Sequence, residues 1–167
     1  MNNSYSIWLY PCAEDELYLS EMIRDLSKEY DAPMFQPHCT LYSPVTDLEK
    51  AKDVLDSMEL HPITVTKTGI GQSDVIWKTV FIKLQNSGEL STLQRDIVSK
   101  ISAPNPTPYS FFPHISLIYK KMPAEDKASI IRKLDMKDSY VMDKIAIVKT
   151  GDNVESWESA YAKGLKS

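Results

Sequence analysis

A chain of 167 residues, with 43% hydrophobic and 25% charged side chains, has the size and composition of one globular domain that buries a substantial core. The net charge of −4 argues against the basic surface that tracking along a long nucleic acid requires, so a small phosphorylated ligand is the expected partner. No apolar run approaches membrane-span length, and MNNSYSIWLYP has no basic segment ahead of an apolar stretch. The expectation is a cytoplasmic, monomeric protein without a membrane partner.

In chain order, the apolar stretch Ser6 to Tyr10 reads as a strand, and Leu19, Met22, Ile23, Leu26 and Tyr30 mark one face of an amphipathic helix. PHCTLYS is a second strand. A Ser/Thr-x-x-Glu capping box at Thr46–Glu49 opens a helix carrying Leu48, Ala51, Leu55 and Met58, and a β-rich run from Ile63 to Thr68 follows. TGIGQS at 68 to 73 contains a GxG without phosphate-loop spacing and reads as a turn.

The order then recurs. Val80 to Leu84 is a strand, and Leu90, Leu93, Ile97 and Ile101 form a helical face. PHISLIY is a strand, and Pro123 precedes the Ile130, Ile131 and Leu134 stripe of another helix. Val141 to Val148 and Val154 to Ala162 finish as strands. SEMIRDLSK in the first helix echoes STLQRDIVSK in the third. A single domain over 1–167 with an internal pseudo-repeat, about 5–68 and 75–150, follows from this succession. Its two α+β halves face each other across a cleft.

The repeat carries chemistry. The chain has three histidines, and two of them stand in matching Pro-His-x-Ser/Thr-Leu patterns. Side chains alternate on a strand, so His38 shares a face with Thr40, and His114 with Ser116, each pair about 7 Å apart along the strand. Two imidazoles flanking one ligand, each beside a hydroxyl, suit hydrolysis at phosphorus. One imidazole takes a proton from water, the other protonates the departing alkoxide, and the hydroxyls hold the non-bridging oxygens. That chemistry needs no metal and no cofactor, and no convincing cluster of metal ligands is visible.

The remaining candidates are less specific. Trp8 and Tyr10 share a strand face that either looks into the cleft, where they would stack on a base, or packs the core. Trp157 reads as core. Lys120 and Lys121 read as a solvated strand end, and His61 as a strand-entry residue. Cys12 and Cys39 are expected as reduced thiols packing as small apolar groups.

Two H-x-[ST]-hydrophobic motifs on duplicated α+β halves resemble the two-histidine (2H) phosphoesterase superfamily. Within it the chain is most similar to the cyclic phosphodiesterases, through SIWLYP, FQPHCTLYS, PYSFFPHISLIYKK and AIVKTGDNVESWESAYA. The resemblance implies an α+β, bilobal, duplicated fold: two antiparallel sheets face each other across a central cleft, with helices on the outer faces. It implies the opening of a cyclic phosphate on a small nucleotide, either a 2′,3′-cyclic nucleotide or ADP-ribose 1″,2″-cyclic phosphate. Carried over, His38 and His114 are the acid–base pair, Thr40 and Ser116 hold phosphate, and Tyr119 and Trp8 contact substrate. Strict alternation points Tyr119 away from His114, so its role requires the strand to twist or end first. A nucleotide-binding module without turnover and an RNA-end-processing enzyme are the alternatives.

Overall fold

The computed structural model describes residues 4–86, 88–101 and 110–166. Residues 1–3, which begin the stretch read for a leader, and Pro108 and Tyr109 of the PYSFFPHISLIYKK stretch lie outside them. The elements run β1 (Ser4–Pro11), α1 (Ala13–Tyr30), β2 (Cys39–Val45), α2 (Leu48–Ser57), β3 (Ile63–Gln72) and β4 (Val80–Leu84). There follow α3 (Gly88–Ile101), β5 (His114–Ile118), α4 (Ala124–Lys133), β6 (Ser139–Thr150) and β7 (Glu158–Gly164). No described helix is long and apolar enough to cross a membrane.

The fold is the expected duplicated α+β arrangement, with an exchange of strands between its halves. β1 pairs antiparallel with β2 and β6, while β4 pairs antiparallel with β5 and β3. Thus β3, the last strand of the first half, serves the second, and β6 serves the first. The two sheets also touch, through β2–β5 and β3–β6, and form one seven-stranded hydrogen-bonded sheet. The helices cross over in the same sense, since α1 packs on β5 and α3 on β2. The buried Gln94 side-chain amide of α3 donates to the Leu41 carbonyl of β2 at 3.2 Å.

The apolar periodicities explain which face each element buries. Leu19, Ile23 and Leu26 of α1 meet Cys39 and Leu41 of β2 and Ile115 and Leu117 of β5 in one core between sheet and helices. Each such aliphatic side chain contributes about 1.5–3 kcal/mol of burial. Because side chains alternate, the residues between them, Thr40 and Ser116, are left for the opposite face. A smaller cluster, Trp8, Tyr10, Ala146 and Val148, lies apart from that core on β1 and β6.

Local details correct three expectations. The α2 N-cap is Asp47 rather than Thr46, because the Asp47 carboxylate accepts the Lys50 N–H at 3.1 Å. TGIGQS is not a turn: Thr68–Gln72 continue β3, and Gly69–Gln72 pair with Val80–Lys83. Val154–Ser156 forms a 3-10 turn, and the final strand begins only at Glu158.

The glycines of that strand make room for β4. A Cβ on Gly71 would lie 2.6 Å from the ring of Phe81, its cross-strand partner, whereas one on Gly69 would meet the flexible Lys83 chain at 3.3 Å. Phe81 is buried and cannot swing aside freely. Gly71→Ala should therefore destabilise the protein by about 1–3 kcal/mol, the usual cost of overpacking, and Gly69→Ala by distinctly less. Urea denaturation of the two variants checks this through their midpoints.

Candidate active site

Each motif histidine is set by the residues just before it. His38 follows Pro37 at the entry to β2, and its Nδ1–H donates to the Gln36 carbonyl at 2.8 Å. His114 follows Pro113 at the start of β5, and its Nδ1–H donates to the Phe112 carbonyl at 2.7 Å. A carbonyl only accepts, so Nδ1 carries the proton in both neutral rings and Nε2 is left with its lone pair.

The two motif strands meet at one residue pair, Cys39 opposite Ile115. Continuing that antiparallel register by one residue sets His38 against Ser116 and Thr40 against His114. Each imidazole thereby lies across from the other half's hydroxyl. His38, Thr40, His114 and Ser116 all line one cavity of about 480 Å³, together with Trp8 and Tyr119.

Tyr119 reaches the cavity because β5 contains a bulge. Phe81 of β4 is opposite Ser116, but the next residue back, Val80, is opposite Ile118, so β5 has one residue more than β4 here. One extra residue shifts the parity, and Tyr119, just beyond the strand end, returns to the side of Ser116. β2 repeats the device: Trp8 is opposite Thr40 and Ile7 opposite Tyr42, which brings Ser43 to the cavity. Ser43 and Tyr119 are therefore equivalent positions, each three residues beyond its motif hydroxyl. Ser6 donates to the Ser43 hydroxyl at 2.8 Å, and both line the cavity.

The aromatic surroundings are also matched, with different residues. Trp8 stacks on His38, with 3.5 Å between centroids and 11° between planes, while Phe81 at the corresponding register meets His114 edge-on at 5.4 Å. Trp8 is thus a wall of the site. Tyr10, expected on the same face, stays buried against Trp8 and does not line the cavity. Trp157 packs against the core, as expected, and is a cavity wall as well: half-buried, it contacts Trp8, Trp77 and Tyr119.

Trp77 and Lys78 were not singled out from the sequence. They belong to a 3-10 turn, Ile76–Lys78, whose three carbonyls accept the hydroxyls of Thr79, Ser116 and Ser73 respectively. The Ser116–Trp77 bond, at 2.6 Å, distinguishes the two motif hydroxyls. Thr40 shows no hydroxyl contact to another described residue. Lys78 is the one lysine among the described lining residues, and Asp152 the one carboxylate. Lys120, by contrast, donates to the Tyr30 carbonyl, and neither it nor Lys121 lines this cavity.

Burial governs the ionisation of these groups. It pushes the His38 imidazolium down to about 3, with the Gln36 hydrogen bond opposing and the charge of His114 assisting. His114 is lowered too, first by burial and then, against the Phe112 bond, by Lys78. Burial likewise holds the Tyr119 phenol well above its ordinary value, with the Ser116 hydroxyl as a polar neighbour working the other way. Both imidazoles are consequently held toward the neutral form at pH 7.

The family model for cyclic phosphodiesterase-like proteins matches residues 1–163. This chain belongs to that family. Among its relatives is a cyclic phosphodiesterase of Arabidopsis thaliana, 26% identical over 173 residues, an alignment covering 96% of this chain and 94% of the relative. Solved structures share the fold at lower identity. E. coli LigT complexed with 3′-AMP superposes with a TM-score of 0.64 at 15% identity and covers 99% of each chain. A Thermus thermophilus protein, TT0787, gives 0.63 at 16%, covering 97% of each. As a cyclic phosphodiesterase-like protein, the chain falls in a family of phosphoester hydrolases.

A neutral ring in the cleft has a direct signature. Nitrogen-15 NMR should find His38 as the Nδ1–H tautomer from pH 8 down to pH 5, with no imidazolium signal from that ring. An anion held beside one of these two rings would favour its imidazolium and bring its protonation into that range.

Proposed function

We propose that this protein opens a cyclic phosphate on a small nucleotide by metal-independent acid–base catalysis, with His38 and His114 as the pair. The reading rests on one observation: two imidazoles, each with Nδ1 tied to the carbonyl two residues back, have Nε2 left for the same cavity. Such rings differ only in whether Nε2 bears a proton, which is the difference between a general base and a general acid.

The step follows from that difference. The neutral imidazole takes a proton from a water as its oxygen attacks phosphorus. The P–O bond opposite the attack breaks, and the protonated imidazole delivers its proton to the departing ribose oxygen. A 2′,3′-cyclic nucleotide thus becomes a 2′-phosphate, and ADP-ribose 1″,2″-cyclic phosphate becomes the 1″-phosphate. Burial alone disfavours the catalytic proton on either ring at neutral pH. The anionic substrate supplies the charge that lets one imidazole hold it, so activation is coupled to binding. The Thr40 hydroxyl is available to hold a non-bridging oxygen, whereas Ser116 must exchange its Trp77 carbonyl bond to do the same. The chain's net charge of −4 favours a small nucleotide over a polymer.

Hydrolysis of adenosine 2′,3′-cyclic phosphate in the presence of EDTA, followed by phosphorus NMR, tests the assignment. The rate should fall on both sides of a pH optimum, with limbs that belong to the coupled pair. His38→Ala and His114→Ala should each lower kcat by about 10² to 10⁴, with the double variant little worse than either. A pH-independent rate, or single variants near the parent kcat, would overturn it.

The hydroxyls give a separate measurement. Thr40→Ala and Ser116→Ala should each cost about 2–4 kcal/mol of transition-state stabilisation, the scale for removing an oxyanion donor, and Thr40→Ser much less. Only Ser116→Ala should also perturb tryptophan fluorescence, because it alone releases the Trp77 turn.

A further inference from the structure

Lys78 has no place in the chemistry just described. The reacting phosphate is provided with two Nε2 atoms and the motif hydroxyls, and it carries a single negative charge that needs no lysine. Yet Lys78 stands in the cavity wall on a rigid mount, the 3-10 turn whose three carbonyls are each held by a hydroxyl. Its ammonium lies 5.3 Å from the centre of the Phe112 ring, makes no ion pair with a described carboxylate, and is close enough to His114 for its charge to be felt there. An ammonium in a cleft, supported by an aromatic ring and left without a counter-ion, is an anion-binding element. It sits on the His114 side, beside Phe112, which is 45% exposed.

We propose that Lys78 is a specificity-determining residue that takes a second phosphate, so that the preferred substrates are cyclic phosphates bearing a further phosphate elsewhere on the nucleotide. The inference rests on the cyclic phosphate reading above. The cyclic phosphate occupies the space between the histidines, and the ribose extends toward Phe112. The additional phosphate then meets the Lys78 ammonium in a partly desolvated position, where a charge-assisted hydrogen bond is strongest. A nucleoside cyclic phosphate without that group leaves the ammonium unpaired and forfeits the contact.

The test compares two substrates that differ only in this group, adenosine 2′,3′-cyclic phosphate and its 5′-phosphorylated form. The parent protein should favour the 5′-phosphorylated substrate in kcat/KM by about tenfold or more, the low end for a hydrogen bond to a charged group. Lys78→Met and Lys78→Gln should bring that ratio close to one, Lys78→Arg should retain most of it, and added salt should shrink it in the parent. The corresponding product pair, adenosine 2′-phosphate and adenosine 2′,5′-bisphosphate, gives the same ratio as affinities by calorimetry. An equal fall for both substrates would assign Lys78 to the reacting phosphate and overturn the proposal, as would a ratio unchanged by the substitutions. If the parent hydrolyses neither substrate, the catalytic reading fails, and the affinity ratio of the two products still decides the role of Lys78.

Discussion

The site depends on the contact between β2 and β5 at Cys39 and Ile115. Both residues are fully buried and point toward the helices, so the intervening motif side chains must point the other way. An antiparallel register has a further effect, because moving one residue forward on one strand means moving one back on the other. A His-x-Ser/Thr motif duplicated on two such strands therefore brings each histidine opposite the partner's hydroxyl. The local repeat and the register together yield a four-residue constellation that neither strand makes alone. A slip of one residue would turn the entire set into the core.

Strand exchange keeps this contact in place. β6 lies against β1, and β3 against β4, so each half is completed by the last strand of the other. α1 and α3 cross over in the same way, and Gln94 ties α3 to the Leu41 carbonyl of the motif strand β2. Moving one half relative to the other would break sheet pairing and core packing together. That coupling suits the proposed acid–base chemistry, in which small displacements of the imidazoles would lower the rate steeply.

Much of this was readable in the sequence for a physical reason: the core-facing residues follow simple periodicities, and the site residues occupy the gaps those periodicities leave. His38, Thr40, His114 and Ser116 are such gaps. Tyr119 came from the family resemblance and against strict alternation, since a bulge is a property of two strands and neither alone encodes it. Trp77 and Lys78 were missed because their turn has no periodic pattern, and it is held by the neighbouring Ser73 and Thr79 hydroxyls and by Ser116 from a distant strand. TGIGQS misled because glycine marks turns in general, whereas Gly71 here makes space for the Phe81 ring. Ser43 had a signal that was available: it stands at the same offset in PHCTLYS as Tyr119 in PHISLIY.

That last equivalence bears on the handedness of the cleft. A perfectly two-fold cleft would receive a small nucleotide in two opposed directions of equal energy, only one of them suited to any given division of labour between the histidines. Ser43 facing Tyr119, Trp8 stacked where Phe81 meets an edge, and an unengaged Thr40 set against a Ser116 bound to Trp77 remove the degeneracy. The gain in population is at most twofold, about 0.4 kcal/mol. The greater effect is vectorial, because once the duplicated walls differ, the water and alkoxide of the proposed reaction would have distinct ends of the groove.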